Sequence, residues 1–129
     1  MASDLTPYLD GAQALHIGSN PRIAVEHMGA GPLVIFLHGI GGDRSTWAHQ
    51  LTAFAANGYC AAAWDVRGYG DSDDYDGALS FTDIADDLAR VLDAFAVSTA
   101  HIVGTSMGGR ISLEFYANHP DRFATLTLA

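Results

Sequence analysis

Hydrophobic positions along the chain follow two spacings, one typical of strands and one typical of helices. Uninterrupted runs of β-prone apolar residues, of which Leu33–Leu37 is the clearest, indicate strands buried on both faces. Two runs near the start flank the turn-forming sequence Gly-Ser-Asn-Pro and indicate an antiparallel pair. The predicted strands cover residues 14–17, 22–27, 33–37, 59–64, 100–103 and 123–128.

Between the later strands, apolar residues recur every three or four positions, which predicts three helices. The most regular one begins after the N-cap candidate Ser80 and carries an apolar stripe from Ile84 to Phe95. The other two are predicted around Trp47, Leu51, Phe54 and Ala55, after the cap Asp43, and over residues 107–117, before Asn118-His119-Pro120.

The order of elements is two strands followed by alternating strands and helices. It predicts an α/β fold in one domain spanning residues 1–129, with a mostly parallel sheet and helices on both faces. The carboxyl ends of parallel strands meet at one edge of a sheet, and ligands bind there. Functional residues are therefore expected just after Leu37, Trp64 and Val103.

The composition excludes several classes of function. All six basic residues are arginine, so a P-loop lysine or a Schiff-base lysine is absent. With a net charge of -9 and scattered arginines, neither nucleic acid nor a membrane surface is an expected partner. The start of the chain lacks the features of a signal peptide, and the single Cys60 has no internal partner, so a cytoplasmic location is expected.

The first chemical motif follows the strand predicted over residues 100–103. Gly104-Thr105-Ser106-Met107-Gly108 is a G-x-S-x-G at a predicted strand-to-helix turn. This context is typical of a nucleophile elbow, where a sharp turn presents the serine hydroxyl above the sheet. Ser106 is therefore the predicted nucleophile, and the alternative is that it only caps the following helix.

The second motif, His38-Gly39-Ile40-Gly41-Gly42-Asp43, directly follows the strand Leu33–Leu37. Attack by Ser106 on a carbonyl creates an oxyanion, and backbone N–H groups of a glycine-rich loop can stabilise it. Ile40 and Met107 are the predicted donors, and His38, Gly39 and Gly41 are expected to shape the loop. A phosphate-binding loop is disfavoured because the third glycine of G-x-G-x-x-G is missing.

Together with Asp65-Val66-Arg67-Gly68-Tyr69-Gly70-Asp71-Ser72, these motifs resemble the amino-terminal half of an α/β-hydrolase-fold enzyme. The nearest resemblance is to 3-oxoadipate enol-lactonases and related serine esterases and lactonases, and it runs from about Ala14 to the last residue. It implies that residues 65–72 mainly shape the loop after their strand, with Arg67 in a structural ion pair.

The resemblance also implies a reaction class. Ser106 occupies the elbow position at which epoxide hydrolases and haloalkane dehalogenases carry Asp, which favours a seryl acyl-enzyme. The expected substrate is a small-molecule carboxylic ester or enol-lactone, and no cofactor or metal is expected. Two alternatives stay open: a cofactor-free C–C bond hydrolase of the same fold, and a non-catalytic remnant or binding module. Trp47, Tyr69 and Phe115 are aromatic candidates for either substrate contact or the core.

The family places the catalytic acid and then the histidine after the serine. Neither His101, at the start of its strand, nor His119, at the end of the elbow helix, is positioned for that role, and His38 is expected to order the oxyanion loop. The acid, the base, the later strands and the lid are expected beyond Ala129, so the chain alone is expected to be inactive. Its uncovered last strand is expected to favour self-association.

Overall fold

Six strands form one mixed sheet in the computed structural model, which describes residues 5–129. The strands are β1 (Gln13–Ile17), β2 (Ile23–Met28), β3 (Leu33–Leu37), β4 (Cys60–Trp64), β5 (Ala100–Gly104) and β6 (Phe123–Leu128). Their order across the sheet is β1-β2-β4-β3-β5-β6. β3 pairs in parallel with β4 and β5, and β5 with β6, whereas β2 is antiparallel to both β1 and β4. The predicted α/β class with a mostly parallel sheet is confirmed.

The helices lie on both faces of this sheet, as predicted. They are α1 (Ala48–Ala56), α2 (Phe81–Ala94) and α3 (Met107–Asn118), with short 3-10 helices at Arg44–Trp47 and Pro120–Arg122. On one face, Val34 and Phe36 of β3 pack with Leu51 of α1 and with Trp47, which directly precedes this helix. On the other face, Ile35 and Leu37 pack with residues of α2 and α3. This alternation follows from the pleat, which points successive side chains to opposite faces.

Two helix starts show how local sequence sets the boundaries. The Ser80 hydroxyl accepts the backbone N–H of Asp83 at 3.2 Å and caps α2, as the sequence predicts. Asp43 caps a different helix from the one predicted. Its carboxylate accepts the Ser45 N–H and caps the 3-10 helix Arg44–Trp47, and α1 begins only after this short helix. A reciprocal bond from the Asp43 N–H to the Thr46 hydroxyl tightens this first turn.

Most large apolar side chains are fully buried against the centre of the sheet. Phe115 of α3 has no exposed surface and Trp47 is 8% exposed, so both belong to the core. β6 is different: it pairs with β5 on one side, and Leu126 and Leu128 remain 36% and 55% exposed. Self-association through this strand stays a prediction, which sedimentation velocity over a concentration series would test.

None of the helices in residues 5–129 has the length and apolar character needed to cross a membrane. The expected cytoplasmic location stays a prediction.

Candidate active site

Ser106 lies at the tight turn between β5 and α3, with φ 55° and ψ −119°. Positive φ is uncommon for a residue with a side chain, and it costs free energy that the surrounding structure must supply. Within the described residues, the Ser106 hydroxyl makes no capping hydrogen bond to α3. The Ser106 hydroxyl therefore does not cap α3, and it is available for a reaction.

Close packing of glycine holds this elbow against the sheet. A Cβ atom on Gly108 would lie 2.1 Å from the carbonyl oxygen of Leu37, the last residue of β3. The Thr105 N–H donates to the same oxygen at 3.2 Å. The start of α3 therefore rests directly on the carboxyl end of β3, which is possible only because residue 108 has no side chain.

The glycine-rich loop after β3 contacts the elbow. A Cβ atom on Gly39 would lie 3.1 Å from Ser106 Cβ and 3.5 Å from Ser106 Oγ. The Gly42 N–H donates to the Gly39 carbonyl at 3.1 Å, and Gly41 has φ 80°, so the loop folds back in a tight turn. The structure thus brings Ser106 and the predicted oxyanion loop, residues 38–43, into contact.

His38 is fully buried at the start of the loop and has a defined tautomer. Its Nε2 lies 3.1 Å from the Val66 backbone nitrogen, which can only donate, so Nε2 accepts. The proton must therefore sit on Nδ1, which donates to the Gly39 carbonyl at 2.8 Å. Both ring nitrogens are engaged in holding the loop, and neither is free to take a proton from Ser106.

This arrangement orients the first predicted oxyanion donor. In a trans peptide the C=O and the following N–H point in opposite directions. The Gly39 carbonyl is turned toward His38 and Gly42, so the Ile40 N–H points away from them. Among residues 5–129, no backbone carbonyl accepts from the N–H of Ile40 or of Met107. Met107 begins α3, where helical N–H groups have no intrahelical acceptor.

Sequence reasoning missed a buried cluster of charges beside the loop. Arg44, directly after it, is 2% exposed and donates to Glu26 of β2 and to Asp65 after β4, at 3.1 and 2.7 Å. Burial by itself would lower the pKa of Arg44, but its hydrogen bonds to Asp71, Asp65 and Glu26 hold it above the ordinary value. The only sequence signal was an arginine following a glycine-rich loop.

A second ion pair ties the loop after β4 to α2. Arg67 donates from Nε and Nη2 to the two oxygens of the buried Asp87, at 2.7 and 2.9 Å. These hydrogen bonds, and the charge of Asp87, raise the pKa of Arg67 although burial opposes the shift. The structural ion pair expected for Arg67 is therefore present.

Of the three aromatic candidates, only Tyr69 lies beside the site. Its ring centroid is 5.2 Å from that of His38, and its hydroxyl lies 3.9 Å from the Met107 sulfur. Tyr69 is half-buried and also packs against the core of the sheet. Substrate contact by Tyr69 stays a prediction.

The two histidines nearest to Ser106 in sequence lie elsewhere. His101 Nδ1 is 2.7 Å from the Thr125 hydroxyl, near the start of β5, and His119 Nε2 is 3.0 Å from Asp86, beyond the end of α3. Within residues 5–129, no histidine is hydrogen-bonded to the Ser106 hydroxyl. A general base for Ser106 does not come from these two positions.

Comparisons with known proteins agree with this fold. The profile of the α/β hydrolase fold matches residues 32–129. "Epoxide hydrolase" of Caballeronia sordidicola is 37% identical over 126 residues, covering 95% of this chain and 37% of that protein. "Putative carbamate hydrolase RutD" of Azorhizobium caulinodans is 36% identical over 111 residues, covering 86% of this chain and 42% of the relative.

A solved structure, an epoxide hydrolase from an endophytic Streptomyces, superposes with a TM-score of 0.85 at 35% identity, covering 93% of this chain and 37% of that one. The chain thus spans well under half the length of these relatives. The strand order agrees with this fold, and the matching profile together with these relatives shows that the chain belongs to the α/β-hydrolase fold family.

Proposed function

We propose that this chain carries the nucleophile and the oxyanion hole of a hydrolase that cleaves a carboxylic ester or an enol-lactone through a seryl acyl-enzyme. The observation that carries the proposal is Ser106 in a strained turn, in contact with Gly39 of the glycine-rich loop. Strain at a serine whose hydroxyl does not cap its helix is typical of a nucleophile rather than of a structural residue.

In this mechanism Ser106 Oγ bonds to the substrate carbonyl carbon while a base takes its proton. The carbonyl oxygen becomes an oxyanion, which accepts hydrogen bonds from the N–H groups of Ile40 and Met107, each worth about 3 kcal/mol of barrier. The C–O bond then breaks and the proton passes to the departing oxygen, which leaves as the alcohol of an ester or stays tethered as the enol of an opened enol-lactone. Water attacks the acyl-enzyme in the same way and releases the acid.

The base and the carboxylate that orients it are proposed to come from outside residues 1–129. His38 cannot serve, because the Val66 N–H occupies its Nε2 and its Nδ1 donates to Gly39. The proposal requires no cofactor and no metal.

Several relatives carry the name epoxide hydrolase, yet the elbow residue supports a different chemistry for this chain. Opening an epoxide through an alkyl-enzyme ester requires a carboxylate nucleophile, and residue 106 is a serine. The relative named as a carbamate hydrolase is compatible with attack on an activated carbonyl. Ester or lactone cleavage is the simplest reaction of that kind.

The test is labelling by a fluorophosphonate probe of the whole product of the reading frame that encodes these residues. We expect covalent labelling at Ser106, located by peptide mass spectrometry, and none in Ser106→Ala. Folded protein that does not label would overturn the proposal and favour a non-catalytic binding module.

A substrate screen then separates the reaction classes. We expect turnover of p-nitrophenyl esters and enol-lactones that is lost in Ser106→Ala. Turnover of vinylogous diketones alone would assign C–C bond hydrolysis, and hydrolysis of an aryl epoxide that survives Ser106→Ala would contradict a serine nucleophile.

A further inference from the structure

The two ends of the candidate oxyanion loop are held by two adjacent residues, Val66 and Asp65, which follow β4. At its start, the Val66 N–H donates to His38 Nε2 at 3.1 Å. At its end, the backbone N–H of Arg44 donates to Asp65 Oδ1 at 2.7 Å. The position of the whole loop therefore depends on one dipeptide of a neighbouring strand end.

We infer that Arg44 and Asp65 are positioning residues for the oxyanion loop, an inference that rests on the proposed function. Asp65 accepts from Arg44 twice, because Nη1 of the guanidinium donates to Oδ2 at 2.7 Å while the backbone N–H donates to Oδ1. Both side chains are at most 1% exposed. A clamp of two charge-assisted bonds in a buried place resists displacement of the loop end.

Asp65 is also held by contacts from residues 70 and 71. The Asp71 N–H donates to Asp65 Oδ2 at 2.9 Å. On another side, a Cβ atom on Gly70 would lie 2.4 Å from the Asp65 carboxyl carbon, so the backbone of the loop packs directly against the carboxylate. The carboxylate is therefore a fixed reference to which Arg44 attaches the oxyanion loop.

The remaining donors of Arg44 are also engaged. Its Nε donates to Glu26 Oε1 at 3.1 Å, and the carboxylate of Glu26 accepts the backbone N–H groups of Tyr8 and Leu9 as well. Nη1 donates to the half-exposed Asp71 at 2.8 Å. A planar guanidinium meets these separate acceptors at once, and the single ammonium of a lysine does not reproduce that geometry.

The chain offers a matched control in Arg67. Arg67 lies in the loop after β4 and, like Arg44, pairs with a buried carboxylate, but its two-pronged ion pair with Asp87 leads to α2. It makes no hydrogen bond to residues 38–44 in the described part of the chain. Loss of Arg67 therefore removes a comparable ion pair without touching the oxyanion loop.

The first test compares Arg44→Lys with Arg67→Lys in the whole product of the reading frame. Both are labelled with the fluorophosphonate probe below their unfolding temperatures, and the rate is split into probe affinity and the rate constant of bond formation. For Arg44→Lys we expect the rate constant to fall about 10- to 100-fold with affinity little changed, because a displaced donor weakens transition-state stabilisation selectively. Arg67→Lys is expected to label at the wild-type rate.

Equal rate constants for wild type and Arg44→Lys would overturn the inference. If Arg44→Lys does not fold, Asp71→Asn provides the second variant, since it removes one acceptor of Arg44 at a half-exposed position. It is expected to slow labelling by a smaller factor, and an unchanged rate there would count against the inference.

A second measurement distinguishes this inference from the proposed function. In amide NMR spectra of the same whole product, Arg44→Lys is expected to shift the signals of Ile40, Gly41 and Gly42, and Arg67→Lys those around Asp87. If the wild-type protein does not label but Arg44→Lys still shifts the Ile40 signals, the proposed function is refuted. The inferred clamp between Arg44 and Asp65 is then retained. If Arg44→Lys does not shift the signals of residues 40–42, the clamp is refuted whether or not the wild-type protein labels.

Discussion

The nucleophile elbow and the oxyanion loop touch each other, yet different forces hold them. The elbow is packed by backbone against backbone, with Gly108 against the Leu37 carbonyl and Ser106 in a strained conformation. The loop is held by buried polar groups, because His38 is hydrogen-bonded to Val66 and Arg44 to Asp65, both at the end of β4. The elbow is therefore sensitive to added volume, and the loop to lost charge or hydrogen bonds.

The largest expected effect tests the packing of the elbow. Gly108→Ala places a methyl group 2.1 Å from the Leu37 carbonyl oxygen, so the start of α3 must move away from β3. We expect the free energy of unfolding to fall by about 4 kcal/mol or more, measured by urea denaturation.

Gly109→Ala, one residue later in α3, is the matched control. The new Cβ atom would be 3.4 Å from Leu128 Cδ2, an ordinary contact, and alanine favours a helix. We expect stability unchanged or raised by up to about 1 kcal/mol. Equal losses for the two variants would show that helix composition, not contact with β3, controls the elbow.

The next effect tests the charges of the loop. Asp65→Asn leaves the buried guanidinium of Arg44 without its shortest carboxylate partner, and breaking such a pair costs about 3 kcal/mol. Asp71→Asn removes a carboxylate that is 50% exposed and is expected to cost less than about 1 kcal/mol. Equal losses of stability for the two variants in urea denaturation would contradict the view that the loop depends on charge because the charges are buried.

A smaller effect of opposite sign reports the strain at the elbow. Ser106→Gly relieves the positive φ of residue 106 and is expected to stabilise the chain by about 1 kcal/mol, while fluorophosphonate labelling is lost. Ser106→Ala keeps a Cβ atom and is expected to leave stability unchanged. A Ser106→Gly variant less stable than Ser106→Ala would contradict strain at this position.

The smallest effect concerns a titrating group outside the oxyanion loop, His27. Burial lowers the pKa of His27, a residue of β2 that packs edge-on against Phe95 at the end of α2. The unfolded chain therefore binds a proton near pH 6.5 that the folded chain binds only at lower pH. Stability from this source is complete above about pH 7 and is lost as the pH falls through the pKa of the folded state.

His27→Gln is expected to flatten the fall in unfolding temperature between about pH 7 and pH 5, whereas His49→Gln on the exposed side of α1 is expected to leave it unchanged. An unaltered slope in His27→Gln would contradict burial of His27 as the source of this acid sensitivity.

The strands and helices were largely predictable because their signals are local. The buried strand Leu33–Leu37 is a continuous apolar run, and its predicted and observed bounds agree. The cap at Asp43 was predictable too, but the 3-10 geometry of the turn after it was not. The reason is that the backbone of Arg44 is drawn to Asp65, 21 residues away.

For the site, the motif around Ser106 and the glycine-rich loop could be found because each lies within a few consecutive residues. Arg44, Glu26 and Tyr69 could not be assigned in advance. An arginine in a polar segment predicts a solvated side chain, and only the folded chain shows that Arg44 is surrounded by carboxylates.

Local sequence sets the alternation of strand and helix, the turn at Ser106 and the glycine-rich loop, since hydrophobic period and glycine spacing act over short distances. The contact of Gly39 with Ser106 and the enclosure of Arg44 by Glu26 and Asp65 arise only in the folded chain. Those contacts depend on the strand order β2-β4-β3-β5, which places the ends of non-consecutive strands side by side. That order is set by burial of the whole sheet between its helices, a property of no single segment.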